Sequence, residues 1–266
     1  MPVTLLTLFA ILDYVAAAVL IALPLARLPA PARGIGLGLA AIAVLVHATL
    51  IFGMHRGALD LHFFAALSLG GLGVAVTTLL VNAFRPVAAL GVVVFPLAAA
   101  LLAIDAFIAP ATQPQAMEWQ IKLHASLALL AYSVLSITAL LAVLLALQER
   151  ALRRRRVDSS LIRALPPLTL METLMFRMIA TGFVFLSLTL LSGVLFIDNL
   201  FAQHLVHKTI LSIIAWLIFG TLLFGRWRWG WRGSRAVHLT LIGMSVLLLA
   251  FFGTKFVLEV VLQRVR

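Results

Sequence analysis

Two histidines, His124 and His207, have side chains that can bind a metal, and each lies near the start of a long apolar run. Neutral imidazole is a good ligand for iron and zinc. Two imidazoles at the same depth on the same side of a membrane would therefore be a candidate metal or haem site. The sequence contains no His-Glu-x-x-His motif, so hydrolytic zinc chemistry is poorly supported.

The composition indicates an integral membrane protein. Of the 266 residues, 64% are hydrophobic and only 11% are charged, about half the charged fraction of a typical soluble domain. Cysteine is absent, which excludes disulfides, thiolate metal ligands and thiol–disulfide exchange by this chain. The net charge of +11 comes mostly from bases in short loops, a pattern that orients membrane proteins, so no nucleic-acid partner is expected.

The apolar runs predict an all-α, polytopic transmembrane bundle. A membrane-spanning helix needs about 20 mostly apolar residues, and proline-containing breaks separate many of the runs. The fifth run is overlong, so we expect it to tilt or to project beyond the bilayer. The first run follows no basic residues and is expected to be a retained span rather than a signal peptide. The eight predicted spans are 3–23, 35–54, 61–81, 87–109, 119–147, 172–197, 205–225 and 236–260.

Basic residues follow the first, third, fifth and seventh spans, and loops rich in Lys and Arg face the cytoplasm. Both termini are therefore predicted on the exterior side. In this topology five histidines lie near the outer boundary, namely His55, His62, His124, His204 and His207. The segment from Arg226 to Arg232 alternates arginine with tryptophan, which favours an anchor at the cytoplasmic membrane surface, with the arginines on anionic lipid.

The segment from Trp119 to Arg150 resembles the core helix of the CcsA/CcmC-type cytochrome c assembly proteins. The matching positions are an aromatic residue, a histidine, a tyrosine two turns later and a Gln-Glu-Arg exit, here Trp119, His124, Tyr132 and Gln148-Glu149-Arg150. Similarity extends over about residues 115–258. The family's tryptophan-rich loop has no counterpart in residues 196–209, which contain no tryptophan. The chain is therefore most similar to the HemX/YpjD-like branch, whose His-Lys-Thr helix start matches His207-Lys208-Thr209.

This resemblance implies a non-enzymatic haem-binding protein of the bacterial inner membrane in the cytochrome c assembly lineage. It implies one integral membrane domain, 1–266, in which four N-terminal spans (1–112) precede a four-helix core (113–266). His124 corresponds to an axial haem ligand, and a bis-histidine site with His207 would hold haem non-covalently near the exterior face. The expected partners are membrane lipid, haem and other cytochrome-assembly proteins. Further cofactor-binding candidates are Lys208, Lys122 and Arg56, as propionate partners, and His62.

Two other functions remain open from the sequence. A secondary transporter would need a site at the membrane midplane on broken helices, for which Gly70, Gly71 and Pro96 supply candidate breaks and Asp13 a titratable group. A scaffold that regulates a partner would depend on the basic cytoplasmic run 153–156 and not on the outer histidines.

Overall fold

The computed structural model describes residues 2–23, 31–54, 61–85, 87–109, 117–154, 165–196, 206–253 and 255–256. Within these ranges the chain is helical apart from a few short non-helical stretches, and it contains no strand. Eight helices are long and apolar enough to cross a membrane, which confirms the predicted all-α polytopic bundle. The predicted roles of His55, Arg56 and His204 fall outside the described residues.

We number the helices α1 to α8 in chain order. A short 3₁₀ turn, Ala88–Leu90, leads into α4, and a π-helical segment, Leu249–Gly253, continues α8. The helices are α1 (Pro2–Ala22), α2 (Pro31–Met54), α3 (Phe63–Phe84), α4 (Gly91–Phe107), α5 (Trp119–Arg153), α6 (Leu168–Phe196), α7 (Val206–Trp229) and α8 (Ser234–Leu248).

Several helix boundaries differ from the predicted spans, including those of the fifth, sixth and eighth helices. The fifth helix continues past residue 147 to Arg153 and has 35 residues, which at 1.5 Å per residue is about 52 Å, well beyond a hydrocarbon core of about 30 Å. The sixth begins at Leu168, directly after the two prolines, rather than at residue 172. The α-helical part of the last span ends at Leu248, where the π-helical segment begins.

The chain divides into two compact units. The first contains α1 to α4 and the C-terminal end of α5. Its core includes the fully buried side chains of Tyr14 and Phe95, whose rings stack at 6.1 Å. The second contains α5 up to Glu149 together with α6, α7 and α8. The side of the membrane that each terminus faces and the single-domain organisation stay predictions from the sequence.

In the second unit, side-chain contacts join the four helices into a closed ring. α5 contacts α6, α6 contacts α7, α7 contacts α8, and α8 contacts α5. Small residues allow this close approach, as in many membrane helix pairs. A Cβ atom added to Gly182 of α6 would lie 2.6 Å from the Leu135 side chain of α5, and one added to Gly243 of α8 would lie 2.9 Å from Phe219 of α7.

Candidate functional site

His124 lies at the N-terminal end of the buried stripe of α5. The fully buried residues Ala131, Leu135, Thr138 and Ala142 follow it at spacings of seven, four, three and four, which places all five on one helical face. Because a helix directs such a face towards its neighbours, the His124 ring points into the second unit and is only partly exposed. A histidine in this position has a fixed orientation.

A short hydrogen-bond chain defines the tautomer of His124. Its Nδ1 atom lies 3.0 Å from Oγ of Ser192 on α6, and the Ser192 hydroxyl donates to the Thr189 carbonyl at 2.9 Å. A serine hydroxyl has one proton to donate. When that proton goes to Thr189, the Ser192 oxygen accepts from His124 Nδ1–H, and the lone pair of the imidazole is then on Nε2.

This arrangement is the one that metal-ligating histidines adopt, in which one ring nitrogen donates to a protein group and the other binds the metal. Nearby, the indole of Trp119 packs edge-on against Phe196, with ring centroids 5.5 Å apart, and fastens the start of α5 to the end of α6. The ligand-ready imidazole is therefore held by both a polar and an aromatic contact between these helices.

The structure places His207 differently. It is the second residue of α7 and is exposed, whereas the buried residues Ala215, Phe219 and Leu222 define the inward face of that helix. Lys208 comes seven residues before Ala215, and the next intervals along this face are four and three residues. The same intervals relate His124 to the buried residues of α5. Each residue turns a helix by about 100°, so Lys208 lies on the inward face and His207 lies at its edge.

His207 also lies closer than His124 to the end of the bundle where α5 and α7 begin. The Trp216 indole donates to Ser187 at 2.8 Å, which aligns α6 with α7 at that depth. Towards the end of the bundle that contains His124, Ser192 is five residues from Ser187 along α6. In the same direction, His207 is nine residues from Trp216 along α7. At 1.5 Å per residue the difference is about 6 Å, or one helical turn. In the described residues no hydrogen bond or ring contact joins the two histidines, so their joint ligation of one iron stays a prediction.

The other predicted site residues do not cluster around His124. Lys122 is two residues before it and therefore on nearly the opposite face of α5. His62 immediately precedes α3 in the first compact unit, where its carbonyl accepts a hydrogen bond from the Ala66 amide. Their roles as cofactor-binding residues stay predictions.

Sequence analysis missed a buried histidine in the first unit, His47. The ring is fully buried, with Nδ1 3.3 Å from the Tyr14 hydroxyl and Nε2 3.1 Å from the Ser68 hydroxyl. Because both ring nitrogens have hydroxyl partners on two other helices, this imidazole links α1, α2 and α3 and offers no free lone pair for a metal. A lone polar residue within an apolar span was the available signal.

Sequence analysis also missed an ion-pair cluster at the other end of the second unit. Glu172 on α6 is buried and pairs with Arg226 at 3.0 Å and with Arg232 at 3.3 Å. The sequence pattern predicts anionic lipid as the partner of these two arginines, but in the structure they neutralise a buried carboxylate. Trp227 and Trp229 are exposed, and their role as a membrane-surface anchor stays a prediction.

The ligands available suit haem better than a bare metal ion. In the described part of the chain, no group of three or more His, Asp or Glu side chains could hold a metal ion. Haem iron already has four porphyrin nitrogens and needs only axial ligands from the protein. One oriented imidazole such as His124 therefore fits haem.

Comparison with known proteins gives a family and several relatives. Residues 34–262 match the family model described as cytochrome C assembly protein. The chain is 36% identical over 138 residues to the inner membrane protein YpjD of Escherichia coli, a match that covers 52% of each chain. It is 35% identical over 144 residues, 53% of each chain, to an uncharacterized 28.8 kDa protein of Azospirillum brasilense.

A more distant relative is the cytochrome c biogenesis protein CcsA of Heterosigma akashiwo, which is 31% identical over 83 residues, 30% of this chain and 26% of the relative. The chain thus spans about half the length of the first curated relatives it matches, and less of CcsA. No solved structure matches.

Proposed function

Because the chain belongs to the cytochrome c assembly protein family, we propose that it binds haem non-covalently through His124 and acts as a non-enzymatic assembly factor in the bacterial inner membrane. Eight helices able to cross a membrane, and a relative named as an inner membrane protein, support this location. Haem and other components of cytochrome c assembly are the proposed partners, as the name of the CcsA relative suggests.

The observation that carries the proposal is the hydrogen bond between His124 and Ser192. It holds the imidazole through Nδ1, the arrangement in which Nε2 would bind the iron. A preorganised ligand loses little side-chain freedom on binding. When bound, the haem iron would supply redox and ligand-exchange chemistry, while this chain supplies the axial nitrogen and the apolar surroundings.

We propose His207 as the second axial ligand. It lies in the first turn of α7 with an exposed side chain, so packing does not fix its ring. We therefore expect His124 to contribute more to haem affinity than His207, because only His124 is oriented in advance.

The test is a haemin titration of the purified protein in phosphatidylcholine nanodiscs, followed by the Soret absorbance. We expect the wild type to give a saturable Soret shift and His124→Ala to abolish or greatly weaken it. The matched control is His238→Ala, since His238 is exposed in the first turn of α8 and bonds locally to Ser234. A wild type that binds no haemin, or a His124→Ala variant that binds it like the wild type, would refute the proposal.

The same titration assigns the second ligand. If His207 coordinates the iron, His207→Ala retains haem but changes the six-coordinate low-spin spectrum. An unchanged spectrum would assign that position to another group.

A further inference from the structure

We propose that Lys208 and Lys255 form a paired carboxylate-binding site around the ring of Phe251, and that they receive the two propionates of the haem. The identity of the ligand rests on the proposed function. Lys255 lies outside the set of residues that the sequence indicated for haem, and its position becomes informative only in the folded chain.

The two ammonium groups converge on one aromatic ring. Lys208 Nζ lies 5.8 Å from the centroid of Phe251, and Lys255 Nζ lies 5.7 Å from the same centroid. The two nitrogens are therefore within about 11.5 Å of each other. Both side chains are only partly exposed. They come from different elements, Lys208 from α7 and Lys255 from the chain that follows the π-helical segment.

The position of each lysine has a structural cause. Lys208 lies at the outer end of the inward face of α7, so its stem is directed into the second unit rather than towards lipid. Lys255 follows Phe251 by four residues, a spacing that brings side chains together on a helical surface. The ring of Phe251 therefore has one lysine from its own segment and one from the neighbouring helix.

Tyr132 of α5 fixes the aromatic platform. Its ring contacts Phe251 and Phe252 with centroids 6.0 and 5.8 Å apart, and its hydroxyl donates to the Leu247 carbonyl. That carbonyl lies where α8 changes to π-helix, and π turns often occur at functional sites. Tyr132 follows His124 by eight residues, about 12 Å along α5, so one helix carries the axial ligand and the support of the lysine pair.

The chemistry of the pair favours a ligand with two carboxylates. The face of the Phe251 ring attracts each ammonium group and so brings both cations to the same ring. Each ammonium has three N–H donors and no acceptor. The two propionates of haem leave the same edge of the macrocycle, so one molecule can present a carboxylate to each lysine while its iron is bound at His124.

The test compares haemin with its dimethyl ester, in which both carboxylates are blocked. We expect Lys208→Gln and Lys255→Gln each to weaken haemin binding about three- to tenfold, as for partly exposed charged hydrogen bonds. Neither substitution should change the affinity for the ester. The matched control is Arg177→Gln, which removes an exposed cation from α6 and should leave both affinities unchanged.

The possible results separate the two proposals. If the wild type binds haemin but the lysine variants bind it equally well, the lysine site is wrong and the haem function stands. An equal weakening by Arg177→Gln would indicate general attraction between charges and would also overturn the lysine site. If the wild type binds neither haemin nor the ester, both proposals fail. Lys255→Arg, which keeps the charge, should retain most of the affinity and shows that the segment still folds.

Discussion

Replacing Ser192 with alanine tests how the structure prepares His124 for a ligand. The substitution removes the hydroxyl that lies 3.0 Å from His124 Nδ1, at a site where Ser192 is only 5% exposed. The imidazole then loses the Ser192 hydroxyl as a hydrogen-bond partner, and the loss of such a partner costs about 1–3 kcal/mol. The ring will turn to find another partner, and Nε2 will no longer have a fixed direction.

The affinity loss follows from this cost. About 1.4 kcal/mol corresponds to a tenfold change in a dissociation constant, and removing the hydrogen-bond partner of a metal-ligating histidine typically weakens metal binding about 10- to 100-fold. We therefore expect Ser192→Ala to bind haemin about 10- to 100-fold more weakly than the wild type, while His124 itself remains.

The assay is the haemin titration in nanodiscs, with Ser187→Ala as the matched control. Ser187 is also on α6, five residues earlier, and its hydroxyl donates to the Phe183 carbonyl and accepts from the Trp216 indole. Its loss should lower stability by a similar amount without changing haemin affinity. Equal haemin affinity in folded Ser192→Ala and wild type would refute the reasoning that this hydroxyl orients the ligand.

Three further predictions concern stability and can be measured by SDS-induced unfolding. Glu172→Gln should destabilise the second unit by about 1–2 kcal/mol, less than for a fully buried ion pair because Arg226 is partly exposed; a loss no larger than that of an exposed control would contradict this. Tyr132→Phe should cost about 1–2 kcal/mol, since it leaves the Leu247 carbonyl without its donor, and unchanged stability would show that water satisfies that carbonyl. His47→Ala should cost about 2–4 kcal/mol through a cavity and two unpaired hydroxyls while haemin affinity stays unchanged; a lost Soret band would instead make His47 a ligand.

The helices were predictable because hydrophobic length is a strong signal, whereas their ends were not. The apolar window of the fifth span stops at residue 147, but the helix continues to Arg153. The residues that follow include Gln148, Glu149 and Arg150, which are good helix formers despite being polar. The change to π-helix after Leu248 was not predictable, because one inserted residue leaves hydrophobicity unchanged.

The candidate site was only partly predictable. The resemblance indicated His124, but its pairing with Ser192 is a contact between helices 68 residues apart in sequence, which a single sequence does not reveal. The choice between His207 and Lys208 was within reach, since the spacing of Ala215 and the buried residues after it already favours Lys208 for the inward face. The prediction of His207 followed from the ligand chemistry of imidazole and not from the face of α7 on which the residue lies.

The buried carboxylate was also within reach of the sequence. Glu172 lies near the start of an apolar helix, where an unpaired charge is costly, so a cationic partner should have been expected. Arg226 and Arg232 were instead assigned to lipid because their tryptophan neighbours suggested a membrane surface. An acidic residue within a membrane-spanning helix needs a cationic partner. Nearby arginines should therefore be considered as that partner before they are assigned to lipid.

The most direct test of the central claim, that the His124 imidazole is a haem ligand, is chemical rescue of His124→Gly. The variant should bind haemin weakly, and added free imidazole should restore the wild-type Soret spectrum by occupying the vacated position. His238→Gly should keep the wild-type spectrum with or without imidazole. A His124→Gly variant that shows the full wild-type spectrum without imidazole would contradict the account.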